Sequence, residues 1–402
     1  MKLSANVWKL YIIRFFSSLI PAYVIERLYW EQRGMTIPLV VYTEILYAVT
    51  IIVLEVPTGI MADRWGRQRM LVAGALLASL EFALLIPASG FSSFALVVII
   101  AGIGHSARSG SENALLYDTL VRLGRASSFE KHLGRLNACD FVGAVTAALT
   151  GSLLAGRYGL SLNYWVSLAS TIIALTFTLL LIEPAPGSRD EAADEAEARP
   201  PLRSYLTEPL RFFRLHPRVC LVMLSGMVTG ASLVYIYEFW QLYADRLHFP
   251  VYAFGVLSSA IMLIQLPGSL AASWLKDRYG AGRLIAIILA AGAAGFAAMA
   301  VSRSLGGLAA MAAVCFAAGL MEPIAAGYLH HRIPSPMRAT IDSFQSLGQN
   351  GWSALAGLGF GYLSIRYEIF GGYGFLALLC AIFFIGFVLL YPRTREDKLS
   401  NG

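Results

Sequence analysis

The sequence predicts an all-α membrane protein, with twelve transmembrane helices in two six-helix bundles related by a pseudo-twofold axis. Only 14% of its 402 residues are charged and 57% are hydrophobic, whereas roughly a quarter of the residues in an ordinary soluble domain are charged. The apolar residues form about a dozen runs of roughly 20 residues, the length of a transmembrane helix. A polar loop pattern also occurs twice, at matching places in the two halves. The composition excludes an ordinary soluble enzyme.

Charged residues, prolines and glycines divide the chain into twelve spans, each long enough to cross a bilayer. In the first span, Pro21 is expected to bend the helix because proline removes a backbone donor. The first six spans are predicted at 7–31, 36–62, 68–88, 91–118, 133–156 and 160–182. The last six spans are predicted at 217–244, 250–274, 282–301, 306–329, 336–363 and 370–391.

One long polar stretch lies between the sixth and seventh spans. It contains an acidic run, 190–197, and a segment, 202–215, in which arginines alternate with Leu, Tyr and Phe, as in a surface-lying amphipathic helix. We therefore predict three regions. They are an N-terminal bundle at 1–182, a cytoplasmic linker with an amphipathic helix at 183–215, and a C-terminal bundle with a short cytoplasmic tail at 216–402.

The basic residues predict the orientation. With the N-terminus inside, most of the 31 lysines and arginines fall on the cytoplasmic side, in agreement with the positive-inside rule. Both termini are therefore expected in the cytoplasm, with the chain a multi-pass protein of the cytoplasmic (inner) membrane. The net charge of +6 comes from short loops and needs no nucleic acid partner. The first span has no Ala-x-Ala cleavage site after it, so we expect an anchor rather than a signal peptide.

Several kinds of chemistry lack their sequence signature. The cysteines lie singly in apolar runs with no metal-ligand spacing; they are Cys139, Cys220, Cys315 and Cys380. No phosphate loop of the GxxxxGKS/T kind, GxSxG elbow or HExxH pair is present. We therefore expect no metal, no cofactor, no ATP hydrolysis within this chain and no enzymatic activity.

A polar loop follows the second span, and a similar loop follows the eighth. The first loop carries Gly59, Asp63, Arg64, Gly66, Arg67 and Arg69. The second loop repeats four of these residues 214 positions later, as Asp277, Arg278, Gly280 and Arg283. A short loop at the same place in each set of six spans is typical of two parallel repeats. This pattern resembles the signature loop of the major facilitator superfamily, and twelve spans with a central linker agree with the resemblance.

The resemblance implies a conformational latch. It implies that Asp63 lies near the N-terminus of the eleventh span when the cytoplasmic side is closed, where Ser335-Pro336 looks like an N-cap. It also implies that Arg67 pairs with an acid at the inner end of the fourth span, for which Asp118 is the matching residue. In the second loop a serine and an alanine replace a glycine and an arginine of the pattern. A second latch is therefore expected to be weaker.

Ionisable residues inside the membrane are functional candidates, because an unpaired charge there costs several kcal/mol. We predict that proton coupling involves Glu44, Glu81, Arg108, Glu112 and Glu322. Arg108 and Glu112 are one helical turn apart and can pair along the helix, or Arg108 can neutralise Asp140. Superfamily members often carry an arginine followed closely by glycine in this span, implicated in proton coupling, and the Arg108-Ser-Gly segment resembles it loosely.

Candidate substrate-binding residues are polar or aromatic side chains at membrane depth. They are Arg14, His105, Tyr235, Glu238, Trp240, Gln345, Gln349 and Asn350. Arg14 is expected to meet Asp140. The aromatic residues of the seventh span fit either a belt at the outer interface or a lid over an organic cation. The polar stripe of the eleventh span fits either cavity lining or hydrogen bonding between helices.

These residues predict a monomeric secondary transporter that moves a small molecule across the membrane by alternating access. The leading hypothesis is proton-coupled export of an amphipathic or cationic compound, because the predicted cavity holds more acids than arginines. A proton-coupled importer is the alternative, with Arg14 and Arg108 holding a substrate carboxylate. The signatures of sugar porters are missing, which argues against sugar transport. A non-transporting receptor would need a ligand-binding or signalling domain, which the linker is too short to supply.

Overall fold

The computed structural model describes residues 3–109, 111–184, 212–330, 332 and 338–393. In this part of the chain, eleven helical segments are long and apolar enough to cross a membrane. The protein is therefore a multi-pass membrane protein. Most of the predicted linker, including 202–211 of its amphipathic segment, lies outside the described residues, as does the Ser335-Pro336 cap.

The first of two compact units comprises Met1–Ala193 together with Pro250–Ser259. Fully buried leucines at Leu10, Leu115 and Leu136 belong to one apolar cluster of this unit, and their close packing holds the helices together. The helices are α1 (Ala5–Ser18), α2 (Glu26–Gln32), α3 (Ile37–Trp65), α4 (Arg67–Leu85), α5 (Gly90–Arg108), α6 (Ser111–Arg122), α7 (Phe129–Tyr158) and α8 (Ser161–Leu179).

The second unit comprises Asp194–Phe249 and Ala260–Gly402. Its core cluster includes the fully buried Val219, Val222 and Ile285. The helices are α9 (Pro217–Arg246), α10 (Phe254–Leu263), α11 (Gln265–Tyr279), α12 (Ala281–Val301), α13 (Gly306–His330) and α14 (Arg338–Leu390). Helix α10 begins in the first unit and ends in the second.

Helix α14 is two helices joined at a kink. Its 53 residues would extend about 80 Å as one helix, whereas the hydrocarbon core of a bilayer is about 30 Å thick. The backbone leaves the helical conformation at Tyr367 and Glu368, and Glu368 has φ 53° and ψ −156°. This kink separates the predicted eleventh and twelfth spans, so the eleven segments agree with twelve spans. The predicted fold class of an all-helical membrane protein is confirmed.

The first span is broken at Pro21, as the sequence predicts. A 3₁₀ turn, Pro21–Val24, separates α1 from α2. The Pro21 carbonyl accepts a hydrogen bond from Asn163 Nδ2 at 3.1 Å, and the same nitrogen donates to the Gly151 carbonyl at 2.8 Å. Asn163 is fully buried. A neighbouring helix therefore satisfies backbone that the break exposes, as a non-helical segment at membrane depth requires.

The two signature loops have the same backbone turn. Gly66 ends α3 and begins α4 with φ 100° and ψ 144°. Gly280, which ends α11 and begins α12, has φ 79° and ψ 147°. A side chain is strongly disfavoured at these angles. Each glycine therefore allows one helix to end and the next to begin within a single residue.

Candidate functional site

A polar cavity of about 300 Å³ lies within the first unit. Its ionisable lining residues are Arg14, His105, Arg108, Glu112 and Asp140. The two arginines and two carboxylates have balancing formal charges. His105 is exposed, and its ring meets the Tyr47 ring edge-on with 6.1 Å between centroids. Residues predicted for substrate binding and for proton coupling thus share one cavity.

Arg14 pairs with Glu112, not with Asp140 as expected. Arg14 Nε lies 3.2 Å from Glu112 Oε1, and the two side chains are 26% and 17% exposed. Neither of these two buried atoms has a hydrogen-bond partner in the described part of the chain. Asp140 instead accepts a hydrogen bond from the Ser18 hydroxyl. The contact between Arg14 and Glu112 is therefore mainly electrostatic, so it depends on the charge of the carboxylate.

The predicted pairing of Arg108 with Glu112 along one helix is wrong, because the fourth span is not one helix. Helix α5 ends at Arg108, and Ser109 has a ψ of 129°. This extended angle turns the chain before α6 begins at Ser111. Among the described residues, Arg108 has no carboxylate within 4.0 Å, so its alternative pairing with Asp140 is also absent.

The Arg108 side chain crosses Gly74 of α4. A Cβ atom on Gly74 would overlap Arg108 Cγ and approach the Gly104 carbonyl oxygen to 2.8 Å. The absence of a side chain therefore lets α4 and α5 pack closely. Arg108 also lines a small cavity of about 30 Å³ with Glu81, which is room for about two water molecules. Arg108 thus borders two cavities, one with Glu112 and the other with Glu81.

Glu44 does not line either of these cavities. Its Oε1 lies 2.6 Å from Arg27 Nη2, and Arg27 is 4% exposed. The guanidinium carbon of Arg27 is also 4.7 Å from the centre of the Trp30 ring. Glu44 lies in the second turn of α3, at the opposite end of that helix from Asp63. Glu44, predicted for proton coupling, is therefore an ion-pair partner near one end of α3.

A larger cavity, of about 540 Å³, lies within the second unit. Four of the predicted residues line it together: Glu322, Gln345, Gln349 and Asn350. In the described part of the chain, the three amide side chains make no hydrogen bond to another helix. This arrangement favours cavity lining over hydrogen bonding between helices as the interpretation of the polar stripe.

The aromatic residues chosen from the seventh span lie elsewhere. Tyr235 and Trp240 are buried in the packed interior, 7% and 4% exposed. The Tyr235 ring stacks on Phe360 with 4.9 Å between centroids, and its hydroxyl donates to the Ser353 carbonyl at 2.5 Å. Neither the belt nor the lid describes these two residues. Glu238 is half-buried and is not among the residues that line the cavity.

Two lining residues of this cavity were missed by the sequence interpretation. Tyr237 and Gln265 both line the cavity, and Gln265 Nε2 donates to the Tyr237 hydroxyl oxygen. Helix phase could have identified Tyr237, because it follows Gly230 by seven residues and shares its face, whereas Tyr235 points elsewhere. Gln265 is an amide within an otherwise apolar run. Its polarity at membrane depth could have identified it as a candidate cavity residue.

The first signature loop holds the contact that the family resemblance implies. The Arg67 guanidinium pairs with Asp118, and its Nη1 donates to the Ala114 carbonyl at 3.0 Å. Glu183, which was not predicted, accepts the backbone N–H groups of Arg67 and Gln68 at 3.0 and 2.6 Å. The role of these contacts as a latch stays a prediction.

The other latch candidates of the first loop are exposed or have side chains that the structure does not describe. Arg64 and Arg69 are exposed, and Gly59 has open space around it. The side chain of Asp63 is not among those described. Its predicted contact with the eleventh span is therefore untested.

The second signature loop has the same turn but different side-chain contacts. Asp277 Oδ1 lies 3.7 Å from Lys276 Nζ. The guanidinium carbon of Arg278 lies 5.6 and 5.7 Å from the ring centres of Trp274 and Tyr279. Asp277 and Arg278 are exposed, so these contacts contribute little to stability.

Comparison with known sequences identifies the family. The family model of the Major Facilitator Superfamily matches residues 8–357. An uncharacterized transporter of Buchnera aphidicola subsp. Schizaphis graminum (strain Sg) is 30% identical over 146 residues, which is 36% of this chain and 35% of that protein. The uncharacterized MFS-type transporter YuxJ of Bacillus subtilis (strain 168) is 32% identical over 172 residues, 41% of each protein. The chain thus spans less than half the length of these relatives.

Solved transporter structures share the fold at low sequence identity. The nucleoside transporter NupG has a TM-score of 0.74 at 16% identity, covering 97% of this chain and 99% of that chain. A bacterial homologue of the human lysosomal transporter Spinster has a TM-score of 0.66 at 15% identity, covering 98% and 99%. These identities show the fold alone. With its repeated signature loop, its helical units and its family match, the chain belongs to the major facilitator superfamily.

Proposed function

We propose that this chain is a secondary transporter that exports a small organic molecule across the cytoplasmic (inner) membrane in exchange for protons. It works as a monomer by alternating access, with both termini in the cytoplasm. No enzymatic step is proposed. The observation that carries the proposal is the ion pair between Arg14 and Glu112 in a cavity that Arg108 also lines.

The first unit contains groups that a proton can switch. Protonation of Glu112 removes the charge that attracts Arg14 across 3.2 Å, and the balanced charge of the cavity becomes positive. A bound proton shifts a conformational equilibrium only if its affinity differs between the two conformations. The Arg14 contact supplies such a difference, because it favours the ionised carboxylate wherever it is formed. Arg108 can respond to either Glu112 or Glu81, since it borders the cavities of both.

The chemistry of the second unit favours export. Glu322 is the one formally charged residue that lines its cavity within the described part of the chain. A carboxylate without a basic neighbour attracts a cation. A substrate cation that leaves while protons enter would use the inward proton gradient directly. This reasoning supports an antiporter of organic cations.

A second candidate is a proton-coupled importer of a carboxylate compound. Arg108 lines a cavity without a carboxylate within 4.0 Å in the described residues, so it can receive the carboxylate of a substrate. The similar structure of a nucleoside transporter supports a polar substrate for this candidate.

Proteoliposomes with an imposed pH gradient test the two candidates. Ethidium is the cationic probe and nicotinate is the carboxylate probe. An antiporter accumulates ethidium when the lumen is acidic, whereas a symporter accumulates nicotinate when the outside is acidic. Glu112→Gln should abolish the response to the gradient and retain exchange of labelled for unlabelled probe. Glu130→Gln is the matched control, because Glu130 is exposed at the start of α7.

Two results would contradict the proposal. One is probe flux that is indifferent to the gradient in the wild-type protein. The other is gradient-driven flux that survives both Glu81→Gln and Glu112→Gln. Accumulation of nicotinate without accumulation of ethidium would replace the exporter with the importer.

A further inference from the structure

The cavity of the second unit has an unusual set of polar side chains. Its amide residues are Gln265, Gln345, Gln349 and Asn350, which stand with the phenol of Tyr237 and the carboxylate of Glu322. Within the described part of the chain, no lysine, arginine or histidine lines it. The cavity therefore offers many neutral donors and acceptors and a single negative charge. The first unit's cavity, with two arginines, is chemically different.

The helix packing directs these amides into one space. Gln345 and Gln349 are four residues apart on α14, so they lie on one face of the helix. The Gln349 amide lies over Gly230 of α9, where a Cβ atom would come within 2.8 Å of Gln349 Nε2. Gly226 lies one turn before Gly230 and lines the same cavity. Gly230 therefore provides the room that the Gln349 amide occupies.

Gln265 is held in place by close contact between α11 and α13. A Cβ atom on Gly319 would overlap the Gln265 backbone, and one on Gly268 would come within 2.6 Å of the Phe316 carbonyl oxygen. The Gln265 amide donates to the Tyr237 oxygen. The Tyr237 O–H therefore stays available to donate to a ligand, and the Gln265 carbonyl oxygen to accept.

Glu322 precedes a proline inside α13, Pro323. Proline removes the hydrogen bond to the carbonyl four residues earlier, which belongs to Gly319. The Ser269 hydroxyl donates to that carbonyl at 3.1 Å, so the irregular backbone is satisfied. Glu322 is exposed to the cavity, and no cationic side chain lies within 4.0 Å of it among the described residues.

This set of groups selects a ligand by its charge and by the hydrogen-bonding groups along the edge of its planar part. A carboxamide presents a donor and an acceptor side by side, and pairs with a planar group that presents the complement. A carboxylate that lacks a basic neighbour is best paired with a cation, because the two opposite charges attract each other. An anionic ligand would meet the Glu322 charge with no compensating cation, so it is disfavoured.

We propose that the cavity of the second unit binds monocationic nitrogen heterocycles that carry a planar amide-type edge, with Glu322 facing the positive ring and Gln345, Gln349 and Asn350 contacting the edge. This assignment rests on the proposed transport function for its physiological meaning. It differs from the sequence interpretation in the role of Glu322, which becomes a specificity residue for the ligand and not a proton carrier.

Four small compounds separate charge from edge in a binding experiment. 1-Methylnicotinamide has the cation and the amide, nicotinamide has the amide alone, N-methylpyridinium has the cation alone, and nicotinate is an anion. Isothermal titration calorimetry with the purified full chain in detergent should give the highest affinity for 1-methylnicotinamide. Nicotinamide is expected to bind about 10- to 100-fold more weakly because it lacks the positive charge that attracts Glu322. N-methylpyridinium is expected to bind about 10-fold more weakly because it lacks the amide that hydrogen-bonds to the cavity. Nicotinate should not bind.

Variants assign the two preferences to residues. Glu322→Gln should remove the preference for 1-methylnicotinamide over nicotinamide, and Gln349→Ala should remove its preference over N-methylpyridinium. Gly230→Ala leaves every polar group in place but displaces the Gln349 amide, so it should resemble Gln349→Ala. Glu368→Gln is the control, because this exposed residue does not line the cavity. Circular dichroism and thermal unfolding confirm that each variant is folded.

Binding without a gradient separates this inference from the proposed function. Equal affinity for 1-methylnicotinamide and nicotinate, or unchanged preferences in Glu322→Gln, would overturn the ligand assignment even if transport proves to be proton-coupled. The expected order of affinities in a protein whose transport is indifferent to pH would overturn the coupling and leave the ligand assignment standing.

Discussion

Glu183 caps the helix that Arg67 begins, with the Glu183 Oε1 atom 3.0 Å from the Arg67 backbone nitrogen. Its Oε2 accepts the next backbone N–H, that of Gln68, at 2.6 Å. The Arg67 side chain meanwhile pairs with Asp118. One residue of the signature loop is thus held through its backbone by the end of the sixth span and through its side chain by the fourth.

Replacement of this capping carboxylate should destabilise the first unit. Glu183→Ala leaves two N–H groups at the start of α4 without their acceptor and removes a favourable charge at the helix N-terminus. We expect a loss of about 1–2 kcal/mol, measured as a lower midpoint of thermal unfolding in detergent. Glu130→Ala removes a first-turn acid from α7, and its expected loss is smaller. Equal midpoints for the two variants would show that Glu183 is not a structural cap.

A side chain at Gly74 should disturb both the packing of α4 against α5 and the position of Arg108. Gly74→Ala places a Cβ atom against Arg108 Cγ and the Gly104 carbonyl. We expect about 1–3 kcal/mol of destabilisation from overpacking and a weaker response of probe flux to the pH gradient. Gly134→Ala is the control, because Gly134 lies in α7 with no atom near its added Cβ. Wild-type flux in Gly74→Ala would exclude a role for the Arg108 position in coupling.

Loss of the Asn163 amide should weaken the broken first span. Asn163→Ala removes the donor to the Pro21 carbonyl, which lies in the turn between α1 and α2. A buried acceptor that loses its partner costs about 1–3 kcal/mol, so the midpoint of thermal unfolding should fall. Thr176→Ala on the same helix is the comparison, since the Thr176 hydroxyl is exposed and donates only within its own helix. An unchanged midpoint for Asn163→Ala would show that another donor replaces the amide.

Glycine at position 368 should stabilise the second unit. Glu368 has φ 53° and ψ −156°, a conformation that costs a residue with a side chain about 1–3 kcal/mol. Glu368 Oε2 lies 3.5 Å from Arg246 Nε, and the glutamate side chain is 67% exposed. Such an exposed ion pair contributes about 0–1 kcal/mol to stability. Glu368→Gly should therefore raise the midpoint of thermal unfolding. Glu368→Ala loses the ion pair and keeps the strain, so a rise in both variants would argue against backbone strain as the cause.

The sequence predicted what depends on composition along the chain. Long apolar runs predicted the spans, Pro21 predicted the break in the first span, and the repeated loop predicted the paired turns. The contact between Arg67 and Asp118 came from the family resemblance, because nothing in their spacing shows that the two residues meet.

Side-chain direction was harder to predict, because it depends on helix phase and on where helices stop. Arg108 and Glu112 have helical spacing, but the extended Ser109 separates them. Tyr235 was selected for its polarity within an aromatic segment, although only Tyr237 shares the face of Gly230. The first error comes from one backbone angle and the second from helix phase, and a hydropathy pattern records neither.

The matched turns at Gly66 and Gly280 show how two halves of one chain can share a shape and differ in chemistry. Glu183 and Asp118 contact Arg67 beside the first turn, whereas Asp277 and Arg278 beside the second contact residues of their own helix. Backbone angles that favour glycine give both halves the same turn, and the side chains around the turn differ. Acids grafted from the first loop onto the second would therefore meet the same backbone turn, so the second loop is a place to test whether the predicted latch can be transferred.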